Sequence, residues 1–90
     1  MRTVVYAEDM SDEMLERVIE TAKEAFQLNI QGGKINTTVA TYIRSRFDKE
    51  HGRGWNCIVG TSFGAFVTHE IKTYVYFSIT HGISILLWRA

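Results

Sequence analysis

Near Gly54 the chain turns from helical to strand-like patterning, and that change constrains most of what it can fold into. Before it, apolar residues recur at helical spacing. They fall at Met14, Leu15, Val18, Ile19, Ala22, Ala25 and Phe26, and again at Val39, Ala40, Ile43 and Phe47. Each set puts one apolar stripe on a helix. After Gly54 the runs 55–59, 63–68, 73–79 and 83–88 are rich in β-branched and aromatic residues. Gly60-Thr61-Ser62, residues 69–72 and Thr80-His81-Gly82 separate them, so they read as four strands on tight connections. A short run at 3–7, TVVYA, reads as a strand ahead of the first helix. The expected order is therefore one strand, two helices, then four antiparallel strands. Segregated elements of this kind predict an α+β fold, and 90 residues predict one domain spanning 1–90.

Local signals agree with these boundaries. Ser11 can cap the first helix, and Asp12 and Glu13 put negative charge in its first turn, where the helix dipole favours it. Met10 and Leu15 occupy the two positions of a hydrophobic staple. Gln31-Gly32-Gly33 stops that helix, and the second is expected to begin near Asn36 or Thr37. Lys49 and His51 suit its last turn, and Gly52 suits its C-cap.

Composition narrows the function classes. Ten basic and ten acidic residues balance, whereas phosphate contacts give nucleic-acid binders a basic excess. No run approaches the roughly 20 apolar residues of a membrane helix, and residues 1–6 lack the pattern of a signal peptide. Neither nucleic acid nor membrane is an expected partner. Cys57 is the only cysteine, which precludes an intrachain disulfide and predicts a reduced, intracellular thiol.

The candidate chemistries are weak. Cys57 with a histidine could form a nucleophile pair, but it sits in the apolar run Asn56-Cys57-Ile58-Val59, where a buried inert thiol is ordinary. His51, His69 and His81 lack metal-ligand spacing, so no metal or other cofactor is expected. Gly60-Thr61-Ser62-Phe63-Gly64 is not followed by the Gly-Lys-Ser/Thr of a phosphate loop and reads as a hairpin turn. Asp12, Glu13, Glu16, Glu20 and Glu24 follow one helix flank and read as a solvated face. Residues 61–68, TSFGAFVT, loosely resemble the aromatic strand of RNA-recognition motifs. However, Phe63 and Phe66 would point to opposite faces, the preceding basic residue is absent, and the helices are not interleaved with strands. No enzyme is predicted; an RNA-binding module stays as a minor alternative.

The run 63–68 is the most informative. Phe63, Ala65 and Val67 would face one way, and Gly64, Phe66 and Thr68 the other, so both faces are apolar or small. Such a strand is a pairing hazard unless it is an ordinary interior strand or something adds to it. Candidates are a second copy or an extended peptide joining by β-augmentation, with Gly64 admitting close backbone approach.

Several stretches together resemble the eight-kilodalton dynein light chain family across nearly the whole chain. They are residues 7–14 (AEDMSDEM), Phe47-Asp48-Lys49, Trp55, Cys57-Ile58-Val59-Gly60, Phe63-Gly64, Val67-Thr68-His69-Glu70, Lys72, Tyr76-Phe77 and Ile85-Leu86-Leu87. The resemblance implies a dimer in which the strand 63–68 swaps into the partner's sheet. It implies a groove edged by Phe63, Gly64, Ala65, Phe66, Val67 and Thr68, closed by His69 and floored by Tyr74 and Tyr76 with Ser84 and Leu86 beneath. Asn36, Thr37 and Thr38 would meet a glutamine that family ligands present. Asn56, Ser62, Phe63, Ala65, Phe66 and Val67 would lie at the dimer interface.

The function implied is a non-catalytic adaptor of the dynein motor, holding dynein intermediate chains or other disordered segments in the cytoplasm, on the cytoskeleton or in the ciliary or flagellar axoneme. The dimer could be homomeric or pair with a related light chain. A structural dynein subunit that dimerises without a working groove is the alternative. Departures from the family pattern point to a divergent or axonemal paralogue. Asn56 replaces an interfacial histidine, Thr37 a groove lysine, Phe66 and Ser78 tyrosines, and Ser62 and Ala65 an asparagine and a serine. The connections at 31–35 and 80–83 are also longer.

Overall fold

The computed structural model describes residues 3–29, 35–61, 72–80 and 82–89. Its elements are β1 (Val4–Asp9), α1 (Asp12–Asn29), α2 (Ile35–His51), β2 (Trp55–Gly60), β3 (Tyr74–Thr80) and β4 (Ile83–Arg89). The expected strand over 63–68 lies outside the described residues, as does most of the connection at 31–35.

The N-terminus of α1 forms as its sequence predicts. The Met14 amide donates to Ser11 Oγ at 3.2 Å, and the Leu15 amide donates to the Ser11 carbonyl at 2.9 Å. A cap of this kind is worth about 0.5–2 kcal/mol. Met10 is buried, and Leu15 packs against the same core, which closes the staple. Gly52 follows α2 with φ +87°, a conformation that costs a glycine little.

One antiparallel sheet takes the order β1-β3-β4-β2. The strands run slightly past their expected ends because cross-strand partners hold them. Glu8 and Asp9 pair with Val75 and Tyr74, Gly60 with Ser84, and Thr80 with Ile83. A bulge between Val5 and Ala7 shifts the β1 register. The chain leaves the sheet at β2, an edge, and re-enters at β3, next to the opposite edge.

Both helices lie on one side of the sheet, with α1 against α2 and β3, and α2 against β2. The inner sheet face supplies Trp55, Val75, Phe77, Ile79, Ile85 and Leu87, and the helices supply Val18, Ala22, Ala25, Phe26, Val39, Ile43 and Phe47. Ala40, expected inside, is only half-buried. Phe47 is wholly buried and meets Trp55 edge-on, ring centroids 5.0 Å apart, while the His51 ring stands 4.9 Å away. Full burial of each large apolar side chain contributes about 1.5–3 kcal/mol.

Two polar struts fix the helices. The Arg89 guanidinium donates to the His51 carbonyl at 3.1 Å, supplying a cation to the C-terminal end of α2. Across the helix pair, the Tyr42 hydroxyl donates to Glu24 Oε1 at 2.6 Å, and Arg46 Nη2 donates to both Tyr42 Oη (2.7 Å) and Glu24 (3.2 Å). Glu24, read as part of a solvated flank, is exposed yet engaged. The Tyr42 hydroxyl first, and then the Arg46 charge, hold its carboxyl below the usual range.

Candidate functional site

With both helices on the inner face, the outer face of the sheet is built from alternate residues of four strands. The registers arrange them in rows. Asn56, Trp88, Tyr74 and Asp9 form one row across β2, β4, β3 and β1. Ile58, Leu86, Tyr76 and Ala7 form the next, and Gly60, Ser84, Ser78 and Val4 the third. Tyr74, Tyr76, Ser84 and Leu86, which the family resemblance implied as a groove floor, lie together on two neighbouring strands. Leu86 is wholly buried and Ser84 nearly so, while the tyrosines are half-exposed, which makes the tyrosines the accessible layer.

Tyr6, to which sequence reasoning gave no role, joins this face. Its ring lies 5.3 Å from that of Tyr76, tilted by 47°. The period of two from Val4 puts it on the same face as Val4. Tyr6 is the extra residue of the bulge, since Ala7 is the register partner of Tyr76, and it reaches Tyr76 through its ring. Tyr6, Thr61, Tyr76, Ser78, Gly82 and Ser84 line a pocket of about 390 Å³. Ile58 and Trp88 were also missed. Ile58 retains 42% of its exposure, high for an isoleucine in a strand, and it stands on the free flank of β2 among the described residues.

The remaining expected residues divide. Asn56 is exposed on β2, its amide donating to the Gly54 carbonyl at 3.2 Å. Thr37 and Thr38 are exposed in the first turn of α2, which carries no acidic residue. The side chain of Asn36 lies outside the described residues, as do Ser62, Phe63, Gly64, Ala65, Phe66, Val67, Thr68 and His69.

Elsewhere, burial pushes the Cys57 thiol up to about 12, against a smaller pull from the Arg44 charge, so the thiol stays protonated near neutrality. This disfavours the nucleophilic form. A second cleft, of about 250 Å³, is lined by Ser11, Glu13, Met14, Arg17 and His51 between the start of α1 and the end of α2. Among the described residues, no helix is long and apolar enough to cross a membrane.

Comparison with known proteins agrees with the architecture and the sequence pattern. The chain is similar over nearly its whole length to the dynein light-chain-like domain of the Fasciola hepatica calcium binding protein FhCaBP2. That match has a TM-score of 0.87 at 23% identity, covering 99% of this chain and 91% of that one. It is also similar to the DLC-like domain of CsTAL3, with a TM-score of 0.69 at 18% identity, covering 98% of this chain and 92% of that one. These likenesses concern the fold. In sequence, the chain is 41% identical over 81 residues to the cytoplasmic dynein light chain of Emericella nidulans, covering 90% of this chain and 81% of that protein. The family model for dynein light chain type 1 matches residues 2–90. The chain therefore belongs to the dynein light chain family.

Proposed function

We propose that this chain is a non-catalytic, dimeric adaptor of the dynein motor that holds extended segments of partner chains, dynein intermediate chains foremost, as added β-strands. The observation that carries this reading is the outer sheet face. It presents Ile58, Tyr74, Tyr76 and Trp88 on the side opposite both helices, and it runs out to β2 at the sheet edge. A sheet packed on one face by helices leaves its other face to be solvated or covered. Here that face carries large apolar groups, which favours cover by protein.

In this reading a second copy covers part of the face. The segment 63–68 of each copy crosses to flank β2 of the other, and an incoming peptide pairs with that segment. Main-chain hydrogen bonds supply affinity, and pockets between alternate side chains supply selectivity. A disordered ligand loses conformational freedom on binding, so each site is weak. Two linked segments raise avidity by roughly 10²–10⁴. The adaptor works in this way by tying partner chains into pairs. A cytoplasmic, cytoskeletal site of action belongs to the same reading, supported by kinship with a light chain named as cytoplasmic.

Sedimentation equilibrium and calorimetric titration of a threonine-glutamine-threonine-type peptide test the proposal together. A dimer that binds the peptide supports it. Loss of binding with retained dimer in Gly64→Asp supports the backbone-pairing mode, because a side chain there obstructs an approaching strand. A dimer that gives no heat at high peptide concentration favours the structural-subunit alternative, and a monomer at all concentrations refutes the dimeric adaptor. Filter binding of single-stranded RNA at low salt tests the minor alternative.

A further inference from the structure

The pocket on the outer face has a composition that selects a ligand side chain. Its described lining consists of two tyrosine rings, three aliphatic hydroxyls and a glycine, with no charged group. Ser78 and Ser84 lie directly opposite each other on β3 and β4, so two short side chains occupy a position where the sheet could carry long ones. Ser84 is 7% exposed, which makes it the bottom of the pocket rather than its rim. The paired rings of Tyr6 and Tyr76, 5.3 Å apart, form the wall, and Tyr6 itself is more than half exposed. Gly82 presents no side chain at the mouth, and a Cβ there would meet nothing within 4 Å.

We infer that this pocket takes one tyrosine side chain of the bound extended peptide, with its ring against Tyr6 and Tyr76 and its hydroxyl among those of Ser78, Ser84 and Thr61. This rests on the reading of the outer face as a peptide-binding surface. The reasons are chemical. An aromatic body matches the wall, because rings prefer offset or edge-on neighbours at 4.5–7 Å. A hydroxyl tip matches the bottom, because hydroxyls there both donate and accept. A carboxylate would lose water without gaining a cation from the described lining, which is costly. A purely apolar ring would leave pocket hydroxyls poorly satisfied. Ser78 is the residue that decides, because a large side chain at that position fills the space.

The test is selection of a random displayed peptide library, in parallel, on the full-length wild-type chain and on Ser78→Tyr and Ser78→Asp. Each protein is first checked for folding by its thermal transition. Wild type is expected to select peptides sharing a tyrosine at one fixed position. In a synthetic consensus peptide, Tyr→Phe should weaken binding by about threefold to tenfold, the value of one hydrogen bond, and Tyr→Glu by more than tenfold. Ser78→Tyr should bind peptides lacking that preference. Ser78→Asp should select lysine or arginine at the same position, which keeps the test open if the larger side chain disturbs folding. Binders with no fixed tyrosine, or a tyrosine preference that survives in both variants, overturn the pocket assignment alone. Failure of the folded wild-type protein to select any peptide overturns the peptide-binding reading itself.

Discussion

Replacing Ile58 with threonine probes the outer face most directly. Threonine keeps the β-branched shape that suits a strand, so the fold of each copy should hold. Ile58 still exposes 42% of its surface in the single chain. Full burial of an isoleucine contributes about 1.5–3 kcal/mol, so covering that remaining fraction contributes about 0.6–1.3 kcal/mol per copy. A twofold interface uses the residue twice, giving about 1.3–2.5 kcal/mol per dimer. At about 1.4 kcal/mol per decade, complete loss weakens dimerisation by about 8- to 60-fold, and threonine, which retains one methyl group, should fall near tenfold. Sedimentation equilibrium over a concentration series reads the dissociation constant, and urea unfolding at a concentration where both proteins are monomeric checks stability. A folded variant whose dimer constant is unchanged refutes the reasoning, because Ile58 then meets nothing in the assembly.

Three further outcomes are expected. Because Asn56 cannot take up a proton, the dimer should persist from about pH 7 to pH 5, across the titration of an ordinary histidine, whereas Asn56→His should begin to dissociate there; monomers of the unmodified chain appearing in that window would count against this. The Cys57 thiol stays protonated in the folded chain up to about 12, while the unfolded thiol titrates near its usual 9.0. Below that value the group contributes no pH dependence; above it the unfolded chain binds fewer protons, so stability falls as pH rises, by at most about 1.4 kcal/mol per pH unit. Urea unfolding at about pH 8 and about pH 10 should therefore show a steeper loss for the unmodified chain than for Cys57→Ala, and equal losses would contradict the raised thiol. Arg89→Met keeps much of the aliphatic stem but removes the donor to the His51 carbonyl, and it should lower stability by about 1–3 kcal/mol, read as a reduced urea midpoint; an unchanged midpoint would mean that the C-terminal end of α2 is satisfied without it.

Much of this protein was legible in residue order because the deciding interactions are local. The apolar stripes of α1 and α2, the Ser11 cap, the Met10 and Leu15 staple and the glycine after α2 all act within a few residues, and the structure shows each of them. Alternation within β3 put Tyr74 and Tyr76 on one face of that strand, because a strand has no other way to distribute its side chains. Their grouping with Ser84 and Leu86 came from the family resemblance and is set in the structure by the β3–β4 register. Strand ends were less legible: Glu8, Asp9, Gly60 and Thr80 belong to strands because residues far along the chain pair with them.

What only the tertiary structure decided is adjacency between elements. Nothing in the alternation of β1 says that Tyr6 will stand against Tyr76, or that Ser78 will face Ser84 and leave a pocket between hydroxyls and rings. Likewise, Ile58 becomes notable only once the order β1-β3-β4-β2 puts its strand at an edge and the helices settle on the opposite face. Period and capping are properties of a short stretch of backbone and are written locally. Strand order, register and the side on which helices pack arise from burying the two apolar stripes against one sheet, a condition the whole chain must satisfy at once.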